Sequence, residues 1–212
     1  MHFKTINIVI LLFITLGPMK VLLPFVHQTV DLNLKQKQKI AFKAFMISTI
    51  IVLLVAIIGP RIIDKWGVST TAIAIAGAFV LFAQAFRQVN FDTSTASLEL
   101  SKLHTKASII DRIAYSLSIP YIVTPAGIAT ILMVKIIHPG HWLVVISTVI
   151  AILLTIMILN FLTMLFAQTI LKVISIPILQ LTGWIFCVLQ LILSVQIVLA
   201  ELQNLGIIGS FK

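Results

Sequence analysis

Lys20 follows Gly17-Pro18-Met19 inside an apolar run that extends from about Phe3 to Val26. An ammonium placed deep in a hydrocarbon layer costs about 2.5–3.5 kcal/mol on insertion scales, so it belongs on a face turned to protein or water. There it can hold an anionic group. The alternative is a side chain that snorkels to the interface, with its stem along the helix and its head in water. Pro18 lacks a backbone donor and crowds the preceding turn, so the run reads as a helix broken at Gly17-Pro18. The same reading applies to Ile119-Pro120-Tyr121-Ile122-Val123-Thr124-Pro125-Ala126-Gly127-Ile128-Ala129-Thr130-Ile131. Thr124 precedes a proline and is pushed toward an extended conformation, and Pro125 suits the first position of a new half-helix. A helix N-terminus carries roughly half a positive charge and several unpaired N–H groups. Two of them, arriving from opposite membrane sides, make a site for a carboxylate built from Gly17, Pro18, Lys20, Thr124, Pro125, Ala126 and Gly127. The plain alternative is a pair of proline kinks filled by neighbouring Ser or Thr.

Gln84 and Gln190 join this set by position. Ala76-Gly77 precedes Gln84 as Thr182-Gly183 precedes Gln190, each 106 residues later. Ligand contact and interhelical hydrogen bonding both account for two matched amides. Asn160 and Gln196 read as packing polarity, and Met46, Met133, Met157 and Met164 as lipid- or core-facing. His27, His138 and His141 lack metal-ligand spacing. Cys187, the single cysteine, allows no intrachain disulfide and no cysteine metal site. Asp64, Asp92, Glu99 and Asp111 fall in loops and Glu201 near a helix end. The chain carries no nucleotide-binding loop, nucleophile elbow or carboxylate pair. The expectation is therefore no enzyme, no cofactor and no metal.

The elements that must position these residues are set by composition. The 212 residues are 60% hydrophobic and 10% charged, with a mean hydropathy of +1.16, whereas soluble domains are nearer ~45–50% apolar and ~25% charged. The net charge of +9 does not point to nucleic acid, because the basic residues lie between apolar segments and act there as topology signals. A spanning helix needs about 20 apolar residues. Six candidates follow, at about 3–26, 40–58, 71–89, 113–137, 142–165 and 176–202. Gly59-Pro60 reads as a stop, with Arg61 to Trp66 as an interfacial turn, and His138-Pro139-Gly140-His141 as a tight turn. Ala72, Ala74, Ala76, Gly77 and Ala78 supply the small residues that let helices approach closely. The polar stretch from Asn90 to Arg112 joins the halves. The N-terminus looks like a signal peptide but has no small-x-small cleavage site, so it reads as a first membrane helix.

Pro18 plus 107 is Pro125, and two interrupted helices at corresponding places in two halves point to a secondary transporter's binding site. The expected architecture is all-α: six transmembrane helices in two inverted three-helix repeats, residues 1–106 and 107–212, with helices 1 and 4 broken. Nine basic residues (Lys35, Lys37, Lys39, Lys43, Arg87, Lys102, Lys106, Arg112, Lys172) fall on one side and five (Lys4, Arg61, Lys65, Lys135, Lys212) on the other. Positive charge marks the cytoplasmic side, so both termini are expected outside the cytoplasm.

The proline-bearing first helix, the Lys-rich first loop, Ile75-Ala76-Gly77, Pro120 with Thr124 to Ile131, Leu181-Thr182-Gly183 and Val195-Gln196 together resemble the MarC family over nearly the whole chain. The resemblance implies a six-helix inner-membrane protein of two inverted repeats, related to the LysE-type exporters, some members being described as transporters of small neutral amino acids. Gly17 stands where that family often has Asp or Asn before proline, Lys20 and Val21 follow, and Pro24 is displaced by one residue. The function expected is alternating-access transport of a small metabolite, an amino acid first, across the bacterial inner membrane. The alternative is a non-transporting membrane protein that binds a partner protein or lipid. The partners expected are a small-molecule substrate and the lipid bilayer, without nucleic acid.

Overall fold

The computed structural model describes residues 5–90, 108–134 and 142–209. The tight turn at 138–141, residues 91–107 of the joining stretch, and Lys4, Lys102, Lys106, Lys135 and Lys212 lie outside the described residues. Within them the chain is helical: α1 (Thr5–Leu16), α2 (Met19–Gln28), α3 (Leu34–Lys65), α4 (Thr70–Asn90), α5 (Ile109–Ser116), a π-helical segment (Leu117–Ile122), α6 (Pro125–Met133), α7 (Trp142–Leu165), α8 (Ala167–Val173) and α9 (Ile176–Asn204). Five stretches are long and apolar enough to cross a membrane: Val9–Gln28, Leu34–Lys65, Thr70–Gln88, Ile146–Leu165 and Ile176–Asn204. Ile109–Ile122 and Pro125–Met133, bent by 51° at their break, make a sixth when taken as one span.

Three boundaries differ from the sequence reading, the first being the start of α3 at Leu34 rather than near Ile40. Gly59-Pro60 does not stop the second span, because α3 runs through to Lys65. One proline removes one N–H, and a long helix with neighbours tolerates that inside a membrane protein; Pro60 is buried. The fourth span begins at Ile109 rather than near Ile113. Ser108 caps it, accepting the Asp111 N–H at 3.3 Å and donating to Asp111 Oδ2 at 2.8 Å, a serine–carboxylate pair of the kind that starts helices. Asp111 also pairs with Lys43 of α3.

Packing follows small residues. On α3, Ala41, Ala44, Ser48, Val52, Ala56 and Pro60 form a buried stripe at helical spacing, and α3 lies against α7. On α4, Ala74, Ala78, Leu81 and Ala85 are buried, and α4 lies against α9 and α6. Ala72 and Ala76 face outward instead. The opposite faces carry exposed Phe42, Met46, Ile50 and Leu54 on α3 and Trp184, Ile185, Val188 and Ile192 on α9. Such faces suit hydrocarbon, where helices gain by close packing and not by hiding apolar surface from water. The broken elements α1, α2 and α6 sit between the two long-helix pairs, each touching members of both, and the π segment packs on α3 and α2.

Candidate functional site

The first break lies between Leu16, the end of α1, and Met19, the start of α2. Gly17 is required there: a Cβ on it would run into the Phe13 carbonyl oxygen. The Asp or Asn of the family resemblance therefore does not fit this backbone without a shift. A helix end leaves carbonyls without partners, and here side chains from the other half supply them. Thr124 Oγ1 donates to the Thr15 carbonyl at 3.2 Å, and Asn160 Nδ2 donates to the Leu16 carbonyl at 2.7 Å. Pro18 caps α2 with αR angles and without a side-chain bond.

The second break is built differently. Ile119 is extended and the Ile119–Pro120 bond is cis. Thr124 is the extended N-cap of α6, as Pro125 at the first helical position favours. Its Oγ1 accepts the Gly127 N–H at 2.9 Å, and Gln84 Oε1 accepts the Ala126 N–H at 2.8 Å. Pro125 has no N–H. The first-turn donors of α6 are thus engaged by the chain itself, and an anion at this end would have to displace Gln84. Gly127 sits beneath Leu16, whose Cγ would be 2.8 Å from an added Cβ.

Gln190 is fully buried. Its Nε2 donates to the Leu81 carbonyl at 2.9 Å, and its Oε1 accepts from Lys20 Nζ at 3.1 Å. Lys20 is therefore not snorkelled to a helix end; it points across to α9. Among the described residues no carboxylate pairs with it. Cys187, one turn before Gln190 on α9, is buried and donates to Gln88 Oε1 at 3.0 Å. The structure therefore brings Gly17, Pro18 and Lys20 with Gln190 to one break, and Thr124, Pro125, Ala126 and Gly127 with Gln84 to the other. Thr15 and Asn160 were not among the sequence candidates. The signal for Asn160 was a single amide midway along an otherwise apolar span, and Thr15 lies two residues before the break.

A cavity of about 210 Å³ opens between the end of α2, the start of α3, the end of α7 and α8. Phe25, Thr29, Lys37, Gln38, Met164 and Gln168 are among its walls. It lies on the face of α2 away from Lys20, since Thr29 is nine residues on and half a helical turn out of phase.

Spans of this length, two of them broken midway with their freed backbone groups bonded to side chains of other spans, define an integral multi-pass membrane protein. Residues 3–205 match the family described as MarC family integral membrane protein, and the chain belongs to that family. A UPF0056 membrane protein of Methanocaldococcus jannaschii is 33% identical over 125 residues. That match covers 56% of this chain and 52% of the relative, so it spans about half the length of the curated protein. No solved structure matches.

Proposed function

We propose that this protein is a secondary transporter of a small carboxylate-bearing metabolite, an amino acid in the first place, working by alternating access across the bacterial inner membrane. The observation that carries the reading is Lys20: a cation inside a spanning helix, at the start of the half-helix α2, held by an amide oxygen and without a carboxylate among the described residues. The dipole of α2 is positive at that end, so the ammonium is not stabilised by its own helix. A substrate carboxylate supplies what the chain does not. Gly17, Pro18 and Lys20 form the anion end. Thr124, Pro125, Ala126, Gly127 and Gln84 close the other break and hold the two halves in register.

An inverted repeat of residues 1–106 and 107–212 is part of the proposal. Its support is a pair of contacts. Gln84 of the first half meets Ala126 of the second, and Gln190 of the second half meets Lys20 of the first. Lys20 plus 106 is Ala126, and Gln84 plus 106 is Gln190. Exchanging the halves turns one contact into the other, as a two-fold axis requires. The helix caps agree, since Pro18 plus 106 is Thr124. The transport cycle needs no covalent step, cofactor or metal.

Purified protein in proteoliposomes, offered a panel of labelled amino acids, should accumulate at least one above empty-liposome levels. Background uptake for every compound would overturn the transport reading and favour a protein that binds a partner or lipid.

A further inference from the structure

Asn160, on α7, is 1% exposed. Its Nδ2 donates to the carbonyls of Leu16 at 2.7 Å and Ile156 at 3.0 Å. These two bonds fix which end of the amide is nitrogen. They leave Oδ1 buried without a donor. Buried polar atoms without partners are few in folded proteins, and each one calls for a cause. Ser48 Oγ and Thr49 Oγ1 are also unpartnered, but a hydroxyl in a helix can rotate onto its own i−4 carbonyl. The Asn160 amide has no such freedom, because turning it would break both bonds of Nδ2.

The place of this oxygen is the second fact. Asn160 is tied to Leu16, the last residue of α1. The carbonyl end of a helix is the negative pole of its dipole, and the proline at position 18 has no N–H to return to it. The N-terminus of α2 and Lys20 begin within four residues of that pole. One break thus sets acceptors (Asn160 Oδ1 and the Thr15 and Leu16 carbonyls) beside donors and a cation. Met164, one turn beyond Asn160 on α7, lines the 210 Å³ cavity at the other end of α2.

We propose that Asn160 Oδ1 and the carbonyl end of α1 form a cation subsite that takes the ammonium of an α-amino acid, whose carboxylate lies at α2 and Lys20. The assignment rests on the transport reading above and narrows it from carboxylates to zwitterions. A bound sodium ion has the same ligand chemistry, and the test separates the two.

Two probe pairs are used on reconstituted protein: L-alanine with propionate, and L-glutamate with glutarate. Each pair differs by the ammonium group. The parent should prefer the amino acid of at least one pair by tenfold or more. Asn160→Leu should erase that preference while leaving the affinity for the des-amino acid unchanged. Asn160→Asp, which keeps an acceptor in place, should retain the preference and covers the case in which the leucine variant does not fold. A structural role alone would weaken both members of a pair equally, and that result overturns the subsite. A parent that binds both members equally also overturns it, leaving the carboxylate reading intact. If neither member of either pair binds the parent, the subsite is overturned for these substrates, and the labelled panel decides the transport reading on its own. If amino-acid binding requires sodium over choline, and Asn160→Leu removes that requirement, the oxygen belongs to a sodium ion and the ammonium assignment is wrong.

Discussion

In the proposed repeat, Lys20 and Ala126 hold matching positions and solve matching problems with different atoms. At α6 the donor that reaches the glutamine is the backbone N–H of Ala126; at α2 it is the Lys20 ammonium. The difference makes the two glutamines unequal. Removing Gln84 leaves a buried neutral N–H unpaired, and interhelical hydrogen bonds in membranes average about 0.6 kcal/mol. Removing Gln190 strands an ammonium, and bonds to charged groups are worth about 1.5–3 kcal/mol. Gln190→Leu should therefore lower the thermal midpoint in detergent more than Gln84→Leu, and Lys20→Met in the Gln190→Leu background should recover part of the loss. Lys20→Met alone keeps the stem, so it should fold and bind a carboxylate probe more weakly; an affinity equal to the parent's would retire Lys20 as the anion's partner. The two prolines, the lysine and the glutamine pair were legible in the sequence because each is rare in an apolar run. Thr15 and Asn160 were not, because their role comes from carbonyls freed at the break: that of Leu16, which Asn160 reaches across 144 positions, and that of Thr15 itself, which Thr124 reaches across 109. A sequence shows donors and acceptors, but not which backbone groups a break will leave open.

At the scale of the element, the breaks are held by close approach as much as by proline. Gly127 lets α6 pass under Leu16, where an added Cβ would meet branched carbon at 2.8 Å and the Thr124 hydroxyl oxygen at 3.1 Å. Leu16 is 1% exposed, so moving its Cγ and Cδ2 out of the way means displacing the neighbours packed around them. Overpacking of this kind costs about 1–3 kcal/mol. Gly127→Ala should lower the detergent thermal midpoint, while Gly183→Ala, at a site with open space around it, should leave it unchanged. Equal effects would show that Gly127 is not holding the contact. Gly17→Asp should destabilise for a backbone reason, by forcing the Phe13 carbonyl aside. Span number and both break points could be read from hydropathy and proline alone. The passage of α3 through Gly59-Pro60 could not, because continuation depends on the neighbours that surround the missing donor.

For the whole molecule, the proposed arrangement of six spans with both termini on one side makes a definite labelling pattern. Cysteines at Lys37 and at Ser210, introduced singly with Cys187 changed to Ser, should react with an impermeant reagent from opposite sides of the membrane, and reaction from the same side would end the six-span arrangement. A deeper expectation comes from where the two halves differ. Exchanging positions by 106 turns the pair Gly59–Leu132 into Leu165–Val26. In the second half-helix Leu132 lies over Gly59 and Met133 over Gly77. Their counterparts Val26 and Leu165 line the open cavity, and Gly183, the counterpart of Gly77, has nothing within 4 Å. Under the proposed inverted repeat, the end at Leu132 and Met133 is closed where its counterpart borders the cavity, the asymmetry that the proposed alternating-access cycle would exchange. In the Cys187→Ser background, a cysteine at Gln168 in the cavity wall should react with a water-soluble methanethiosulfonate. A cysteine at Thr130, buried on α6 between Ala126 and Met133, should not. Gly77→Val drives a branched side chain into the Met133 thioether that covers it. A wedge worth about 1–3 kcal/mol shifts a two-state population by roughly 5- to 150-fold. It should raise the reaction rate at Thr130→Cys and lower it at Gln168→Cys together. Gly59→Val, which meets Leu132 instead, should act in the same direction. Reciprocal movement of the two rates follows from one rocking equilibrium; a rise at position 130 with no fall at 168 means only that a local seal has been broken, and it would exclude exchange between the two ends.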